Sequence, residues 1–282
     1  MDNTVAAALR DAAQRLMPVT DAARLEAEWL MAHALDCSRS DLLLRHMQAE
    51  APAAFAALVE RRACGEPLAH ITGETEFYGL SLKVTPDVLI PRSDTEILID
   101  VAQDMLASHA PARVLDCGLG SGALLLAALS VWPDAEGAGI ERSGAALAVA
   151  RANAGLTGLA ARADMRAGDW TQAGWSDGLG RFDLVLSNPP YVETGDPDLA
   201  ADVAASDPHA ALFAGLDGLD DYRVLIPALP DLLQPKGIAV FEIGSRQADA
   251  VIAIAREAGL WAEARDDLAG RPRVVVMGIA GG

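Results

Sequence analysis

Residues 113–123 read Arg113-Val114-Leu115-Asp116-Cys117-Gly118-Leu119-Gly120-Ser121-Gly122-Ala123. Val114-Leu115-Asp116 is a short apolar run of the kind that becomes a buried strand. The glycines at 118, 120 and 122 make a turn, and Ala123 to Val131 continues as an apolar helix. Strand, glycine turn and helix in this order form a ligand cradle. Without Cβ atoms the backbone can approach a bound group, and the helix N-terminus offers N–H donors to it.

The same alternation continues on the C-terminal side. Ala138-Gly139-Ile140 reads as a second strand ending at Glu141, followed by a helix from Ala145 to Ala154. Further strands are predicted over Ala163–Ala167, Phe182–Leu186, Ile238–Ile243, Trp261–Ala264 and Arg273–Ile279, seven in all. A kinked helix, Asp221–Leu233 with Pro227 and Pro230 inside it, and a helix Gln247–Ala258 complete the pattern. Strands alternating with helices predict an α/β domain built on a parallel sheet.

Glu141 lies about twenty residues beyond the first glycine, at the end of the next strand. From there a carboxylate can bond ribose hydroxyls, which points to an adenosine ligand. Taken alone, the loop also satisfies a dinucleotide pattern through Gly118, Gly120 and Ala123, so a dehydrogenase is an alternative at this stage. Trp170 follows the third strand. It is equally a core aromatic or a wall for adenine.

Ser187-Asn188-Pro189-Pro190-Tyr191 separates these alternatives. The prolines stop the fourth strand and hold the chain extended. Asn188 therefore stands at a strand's carboxyl end, where open α/β sheets bind ligands. Its side-chain oxygen and the nearby backbone carbonyls are acceptors suited to a planar NH2 group, with Tyr191 as an aromatic wall. Hydride transfer has no use for such a site, and Asn-Pro-Pro-Tyr after the fourth strand resembles the motif of amino-methyltransferases. Residues 192–220 lack periodicity, and a stretch of that length beside the site reads as a substrate-side wall or lid.

The N-terminal part differs in kind. Thr4 can cap a helix with Val5, Leu9, Ala12 and Leu16 on one face. Thr20 or Asp21 can cap a second, with Leu25, Trp29 and Ala32 inward. Ser40 precedes Asp41-Leu42-Leu43-Leu44, and Pro52 suits the first turn of a helix carrying Phe55, Leu58 and Val59. Phe77-Tyr78-Gly79 with alternating Leu80, Leu82 and Val84 predicts a short hairpin. Pro86 and Pro91 then break the chain, and Ser93 or Asp94 can cap a helix through Ile97, Leu98 and Val101. The predicted organisation is a helical bundle (1–72), a hairpin linker (73–92) and an α/β domain (93–282).

The 282 residues carry a net charge of −18. Residues 93–282 hold 27 acidic and 13 basic residues, against 13 and 9 in residues 1–92. That balance disfavours a duplex-binding enzyme, whose phosphate contacts need clustered Lys and Arg. Cys37, Cys64 and Cys117 have neither metal nor disulfide spacing, and no metal site is expected. With no signal-peptide core and no membrane span, the chain is expected to be soluble and cytoplasmic.

Several stretches beyond the two motifs resemble one family, the release-factor glutamine methyltransferases (PrmC/HemK). They are Gly65-Glu66-Pro67-Leu68-Ala69-His70-Ile71-Thr72-Gly73 with Phe77, Leu89-Ile90-Pro91-Arg92 with Thr95-Glu96, and Asp116 through Gly122. Downstream, Ala210-Ala211-Leu212, Gly215, Gly218, Glu242-Ile243-Gly244, Gln247 and Arg271-x-Arg273-Val274-Val275 match as well. Glu141 stands where the family usually has Asp, Ser93 where it has Pro, and Asp207-Pro208 where it has Glu-Pro.

The resemblance implies a seven-stranded, Rossmann-like class I methyltransferase domain with a small N-terminal helical domain. It implies transfer of a methyl group from S-adenosyl-L-methionine, leaving S-adenosyl-L-homocysteine, to the glutamine amide in the Gly-Gly-Gln loop of peptide chain release factors. Carried over by position, Gly118, Leu119, Gly120, Ser121, Gly122, Glu141, Trp170, Asn188 and Thr95 would contact the cofactor. Asn188, Pro189, Pro190 and Tyr191 would hold the glutamine, with Asn188, Pro189 and Tyr191 as the catalytic set. No direct nucleic-acid partner and no membrane partner are expected. Asn-Pro-Pro-Tyr is shared with DNA and RNA amino-methyltransferases, which form the alternative reading.

Overall fold

The structure is a computed structural model that describes residues 3–196 and 207–280. The chain divides into two units, Met1–Glu74 and Thr75–Gly282.

The first unit is helical, with helices Val5–Leu16, Ala23–Ala34, Phe55–Ala63 and Leu68–Thr72. Thr4 caps the first, accepting from the Ala7 N–H at 3.3 Å, and Val5, Leu9, Ala12 and Leu16 are buried as their spacing predicts. The second helix corrects the sequence reading. Its N-cap is Ala22, and Thr20 instead accepts from the Ala22 N–H and bonds the Glu26 carboxylate. Leu25 and Trp29 are 42% and 47% exposed, whereas Ala23, Ala27, Leu30 and Met31 are buried. Glu28 lies on the buried side as well. Its carboxylate is buried on the inner face, paired with Arg24 and Arg39 at 2.7 Å each, and a buried charge is tolerated only when so paired. Ser38 caps the short helical turn Arg39–Asp41, accepting from the Asp41 N–H at 3.0 Å.

A hairpin follows, β1 (Glu74–Phe77) and β2 (Leu80–Lys83). Its two turn residues, Tyr78 and Gly79, both have positive φ, 51° and 75°, the geometry that matches strand twist in a two-residue turn. A tyrosine is rare in that region. Here its N–H donates to Glu96 at 2.7 Å and its hydroxyl to Asp100 at 2.8 Å, so the strain is held from both ends.

The large sheet contains β3 (Arg113–Cys117), β4 (Glu136–Glu141), β5 (Ala163–Ala167), β6 (Phe182–Ser187), β7 (Leu233–Glu242), β8 (Leu260–Asp266) and β9 (Pro272–Ile279). Their order is β5-β4-β3-β6-β7-β9-β8. All seven predicted strands form, but the sheet is mixed rather than parallel. β9 inserts antiparallel between β7 and β8. The β8–β9 connection is a tight turn closed by Asp267, whose side chain accepts from the Ala269 and Arg271 N–H groups. A connection so short can join only antiparallel neighbours.

Apolar residues cover both faces. Val114, Leu184, Leu186 and Val240 face the helices Ile97–Met105 and Ala123–Val131, and Leu115, Val185, Phe241 and Val275 pack with Tyr222 and Val251 on the other side. Two boundaries differ from expectation. Leu233 already belongs to β7, and residues 93–96 form a 3-10 turn before the helix Ile97–Met105, with no side-chain cap from Ser93 or Asp94.

Candidate active site

β4 and β6 lie on opposite sides of β3, so the chain reverses its direction of winding between β5 and β6. Ligands of open α/β sheets bind at such a reversal, outside the carboxyl ends of the strands. Here those ends are Cys117 and Ser187, joined by a hydrogen bond from the Ser187 hydroxyl to the Cys117 carbonyl at 2.7 Å. A cleft of about 1070 Å³, including its open mouth, lies above them.

Thr95, Gly118, Leu119, Gly120, Ser121, Glu141, Trp170, Asn188 and Pro190 all line this one cleft. Gly122, Pro189 and Tyr191 are not on its wall. Gly122 has φ 84° and is the N-cap of the helix Ala123–Val131, its N–H donating to the Leu119 carbonyl at 2.6 Å. Gly118 has φ 92°, and a Cβ there would come within 3.0 Å of the Trp170 ring. Only glycine lets that indole close the cleft, and the indole is held by a bond from its N–H to Asp221 at 2.6 Å.

Glu141 does more than face a ligand. Its two oxygens accept from the Gly120 N–H at 2.9 Å and the Ser143 N–H at 2.8 Å, so it shapes the glycine loop and the start of the following helix. Each oxygen retains a lone pair for a further donor.

Asp116 was not singled out from the sequence, although an acid inside an apolar strand was a usable signal. It lines the cleft at 1% exposure, and neither carboxylate oxygen has a hydrogen-bond partner among the described residues. Burial drives its pKa well above the usual carboxylate range, against an opposing pull from the nearby Leu125 N–H, and the Glu141 charge adds to the rise. Such a group suits a cationic ligand.

Asn188 is tied to a chain of buried polar groups. Its Nδ2 donates to Thr95 Oγ1 at 3.2 Å, and the Thr95 hydroxyl donates to Glu242 Oε2 at 2.6 Å. Tyr191 donates its hydroxyl to Glu242 Oε1 at 3.1 Å, and its carbonyl accepts from Gln247 Nε2 at 3.0 Å. Burial raises the Tyr191 pKa, and the Glu242 charge adds to it, so the phenol stays protonated.

The predicted wall over 192–220 lies partly outside the described residues, since 197–206 are not among them. Its two described ends pair with each other. The Val192 N–H donates to the Leu212 carbonyl at 2.9 Å and the Ala214 N–H to the Val192 carbonyl at 3.0 Å. Pro208, Ala210 and Ala211 line the cleft. They are held there by an Arg92–Asp207 ion pair and a 2.5 Å bond from Arg142 to the Ala210 carbonyl. Among the described residues, no cluster of three or more His, Cys, Asp or Glu is placed to hold a metal ion, and no helix is long and apolar enough to cross a membrane.

Known proteins match this arrangement along nearly the whole chain. Residues 7–73 match the PrmC N-terminal domain, and residues 94–206 match the methyltransferase small domain. A release factor glutamine methyltransferase of Moorella thermoacetica is 42% identical over 277 residues, which span 96% of this chain and 96% of that protein. This chain belongs to the release factor glutamine methyltransferases. The family member of Caulobacter vibrioides is 40% identical, covering 91% of this chain and 89% of its own length. Among solved structures, the hMettl16 catalytic domain in complex with MAT2A 3'UTR hairpin 6 superposes with a TM-score of 0.54. That match covers 78% of this chain and 81% of the other at 14% identity, a likeness of fold alone.

The glycine loop, Glu141 and Asn188 thus occupy one cleft in a release factor glutamine methyltransferase. Asp116 and Glu242, which the sequence places in matching blocks without a role of their own, are buried acids.

Proposed function

We propose that this protein transfers a methyl group from S-adenosyl-L-methionine to the side-chain amide nitrogen of the glutamine in the Gly-Gly-Gln loop of peptide chain release factors. The observation that carries this reading is Asn188. Its amide nitrogen is already engaged by Thr95, which leaves Oδ1 free to accept, and it stands in the cleft that also contains Gly118, Asp116 and Glu141.

The cleft suits the cofactor. A buried, unpartnered carboxylate at Asp116 complements the positive charge of its methionine end. Gly118 to Ser121 offer backbone at close range, with Gly122 shaping the turn behind them. Glu141 keeps lone pairs for ribose hydroxyls, and Trp170 supplies a flat face for adenine. Thr95 reaches the same end of the cleft as Asn188. When bound, S-adenosyl-L-methionine supplies the electrophilic methyl group.

This chain's own residues supply orientation. An amide nitrogen is a weak nucleophile because its lone pair is delocalised into the carbonyl. Asn188 Oδ1 and the Pro189 carbonyl hold the two N–H bonds and turn the lone pair out of that conjugation, toward the methyl donor. Holding reactants in such a geometry lowers the barrier by up to roughly 7–11 kcal/mol. The same acceptors stabilise positive charge as it grows on nitrogen, and once the methyl has left sulfur the nitrogen gives up one of its two protons. Pro190 and Tyr191 shape the glutamine side, with Tyr191 held from behind by Glu242. Residues 93–282 carry Asn188 and the glycine loop, and the 73–92 stretch adds Phe77, Val88, Leu89, Pro91 and Arg92 to the wall of the same cleft.

Methylation of a DNA or RNA base is not favoured. The curated relatives at about 40% identity carry the release factor name, and the acidic balance of residues 93–282 opposes phosphate binding. Incubation with labelled S-adenosyl-L-methionine and a release factor, with DNA and RNA in parallel, tests the reading. Label on the release factor glutamine is the expected outcome, and label on nucleic acid alone would reverse it.

A further inference from the structure

We propose that Glu242 is a positioning residue for methyl transfer: by taking the single proton of Thr95, it dictates which end of the Asn188 amide faces the acceptor nitrogen. The inference rests on the reading of Asn188 as the group that holds the substrate amide.

Glu242 ends β7 at 3% exposure, directly behind the Asn188–Tyr191 segment. Three hydroxyls converge on it. Thr95 donates to Oε2 at 2.6 Å, Tyr191 to Oε1 at 3.1 Å, and Tyr222 to its backbone carbonyl at 2.7 Å. An ionised carboxylate only accepts, and a threonine hydroxyl has one proton to give. With that proton committed to Glu242, the Thr95 oxygen can only accept from its other neighbour. Asn188 must then present Nδ2 to Thr95, and Oδ1 is left for the substrate.

The two ends of an amide have nearly the same shape, so packing alone does not choose between them. The direction of the hydrogen bonds does. If Glu242 becomes neutral, or is replaced by glutamine, it can donate to Thr95. Thr95 can then donate to Asn188 Oδ1, and the amide turns over. An NH2 group would face the substrate NH2 group, donor against donor, where positive charge has to develop.

The charged and titratable groups facing Glu242 are Arg273 on β9, Asp94 in the 3-10 turn, and the hydroxyls of Tyr191 and Tyr222. Burial raises the Glu242 pKa, partly offset by the Thr95 bond and Arg273. A carboxylate with a raised pKa is protonated at a higher pH than a free one. The transfer rate should therefore fall on the acid side as pH drops through that raised value.

The test is single-turnover methyl transfer to a release factor at saturating cofactor, across pH, with cofactor affinity by calorimetry and folding by circular dichroism. Glu242→Gln should slow transfer on the order of 100-fold, the size of effect that misplacement of a reacting group produces, and abolish the acid limb. Its cofactor affinity should stay close to wild type. Thr95→Val should show a similar loss, and Thr95→Ser, which keeps the hydroxyl, a far smaller one. The double variant Glu242→Gln/Thr95→Val should be no slower than the slower single variant, because both act through one chain. Thr95→Val and Thr95→Ser keep the question open to decision even if Glu242→Gln folds poorly.

Wild-type rates in Glu242→Gln, additive losses in the double variant, or a rate loss matched by an equal loss of cofactor affinity would each overturn the inference. If the wild-type protein transfers nothing to the release factor, the functional reading fails and takes this inference with it. Wild-type transfer with an unaltered Glu242→Gln rate removes the inference alone.

Discussion

Asn153 grips the backbone of Lys83 at both of its polar groups. Oδ1 accepts from the Lys83 N–H at 2.7 Å, and Nδ2 donates to the Lys83 carbonyl at 2.9 Å. The same Nδ2 donates to the Ser121 carbonyl at 2.8 Å. Asn153 lies on the helix Gly144–Leu156 and is completely buried. One side chain thus ties the β2 strand to the loop that faces the cofactor cleft.

Asn153→Ala removes all three bonds and admits no comparable replacement. Each buried backbone group left without a partner costs about 1–3 kcal/mol. The urea midpoint should fall with an unchanged slope, and cofactor affinity should fall with it as the loop loses its anchor. A stability within about 0.5 kcal/mol of wild type, the range of an ordinary surface change, would show that the clamp contributes nothing.

Asn188→Ala removes the side-chain acceptor while leaving β6 and both prolines in place. Loss of one preorganised partner for developing charge should slow transfer about 100- to 1,000-fold. Cofactor affinity should drop only modestly, since the loop, Asp116 and Glu141 remain. Single-turnover kinetics at saturating cofactor measures the first, and calorimetry the second. A folded variant with near-normal turnover would make the segment a turn and nothing more.

Asp116→Asn should separate stability from binding. The buried carboxyl has a folded pKa well above its unfolded one, chiefly through burial. Below the unfolded value it is neutral in both states and costs nothing. As pH rises past that value and through the folded pKa, the native state must carry a charge it resists, and stability is lost. Removing the acid should therefore raise the melting temperature of the ligand-free protein at pH 7 to 8, with the gain shrinking toward pH 4. Cofactor affinity should fall, because the partner for its cationic end is gone. Melting curves identical across pH would contradict this account of Asp116.

Glu141→Ala should weaken the cofactor through two routes. It removes a charged hydrogen-bond acceptor, worth about 1.5–3 kcal/mol per bond. It also releases the Gly120 and Ser143 N–H groups that now hold the loop in shape. Glu141→Gln keeps an acceptor for one of them and should lose less. Calorimetry on the three proteins checks the order wild type, Glu141→Gln, Glu141→Ala, and unaltered affinity in the alanine variant would reduce Glu141 to a strand-end carboxylate.

Much of the fold was legible because its signals are local. Short apolar runs, the glycines at 118–122 and the two prolines after Asn188 act on their own stretch of chain, and the strands they mark form where expected. The first helix was readable for the same reason, its cap and apolar stripe lying within 13 residues. The second helix was not. Its apolar residues occur on two sides, and the side that is buried carries Glu28, whose partner Arg39 comes from outside the helix while Arg24 lies one turn before it.

By itself the sequence determined the elements, the cofactor loop and the position of Asn188 at a strand end, since each follows from steric and periodic properties of neighbouring residues. The tertiary structure alone decided that Asp116 is a buried acid without a partner and that Asn188 is oriented through Thr95 and Glu242. Thr95 is 147 residues from Glu242 and 93 from Asn188. A hydrogen bond acts over about 3 Å and has a direction. Whether residues so far apart in the chain come within that reach depends on how the helices and the sheet pack, a property of the whole domain that no local pattern encodes.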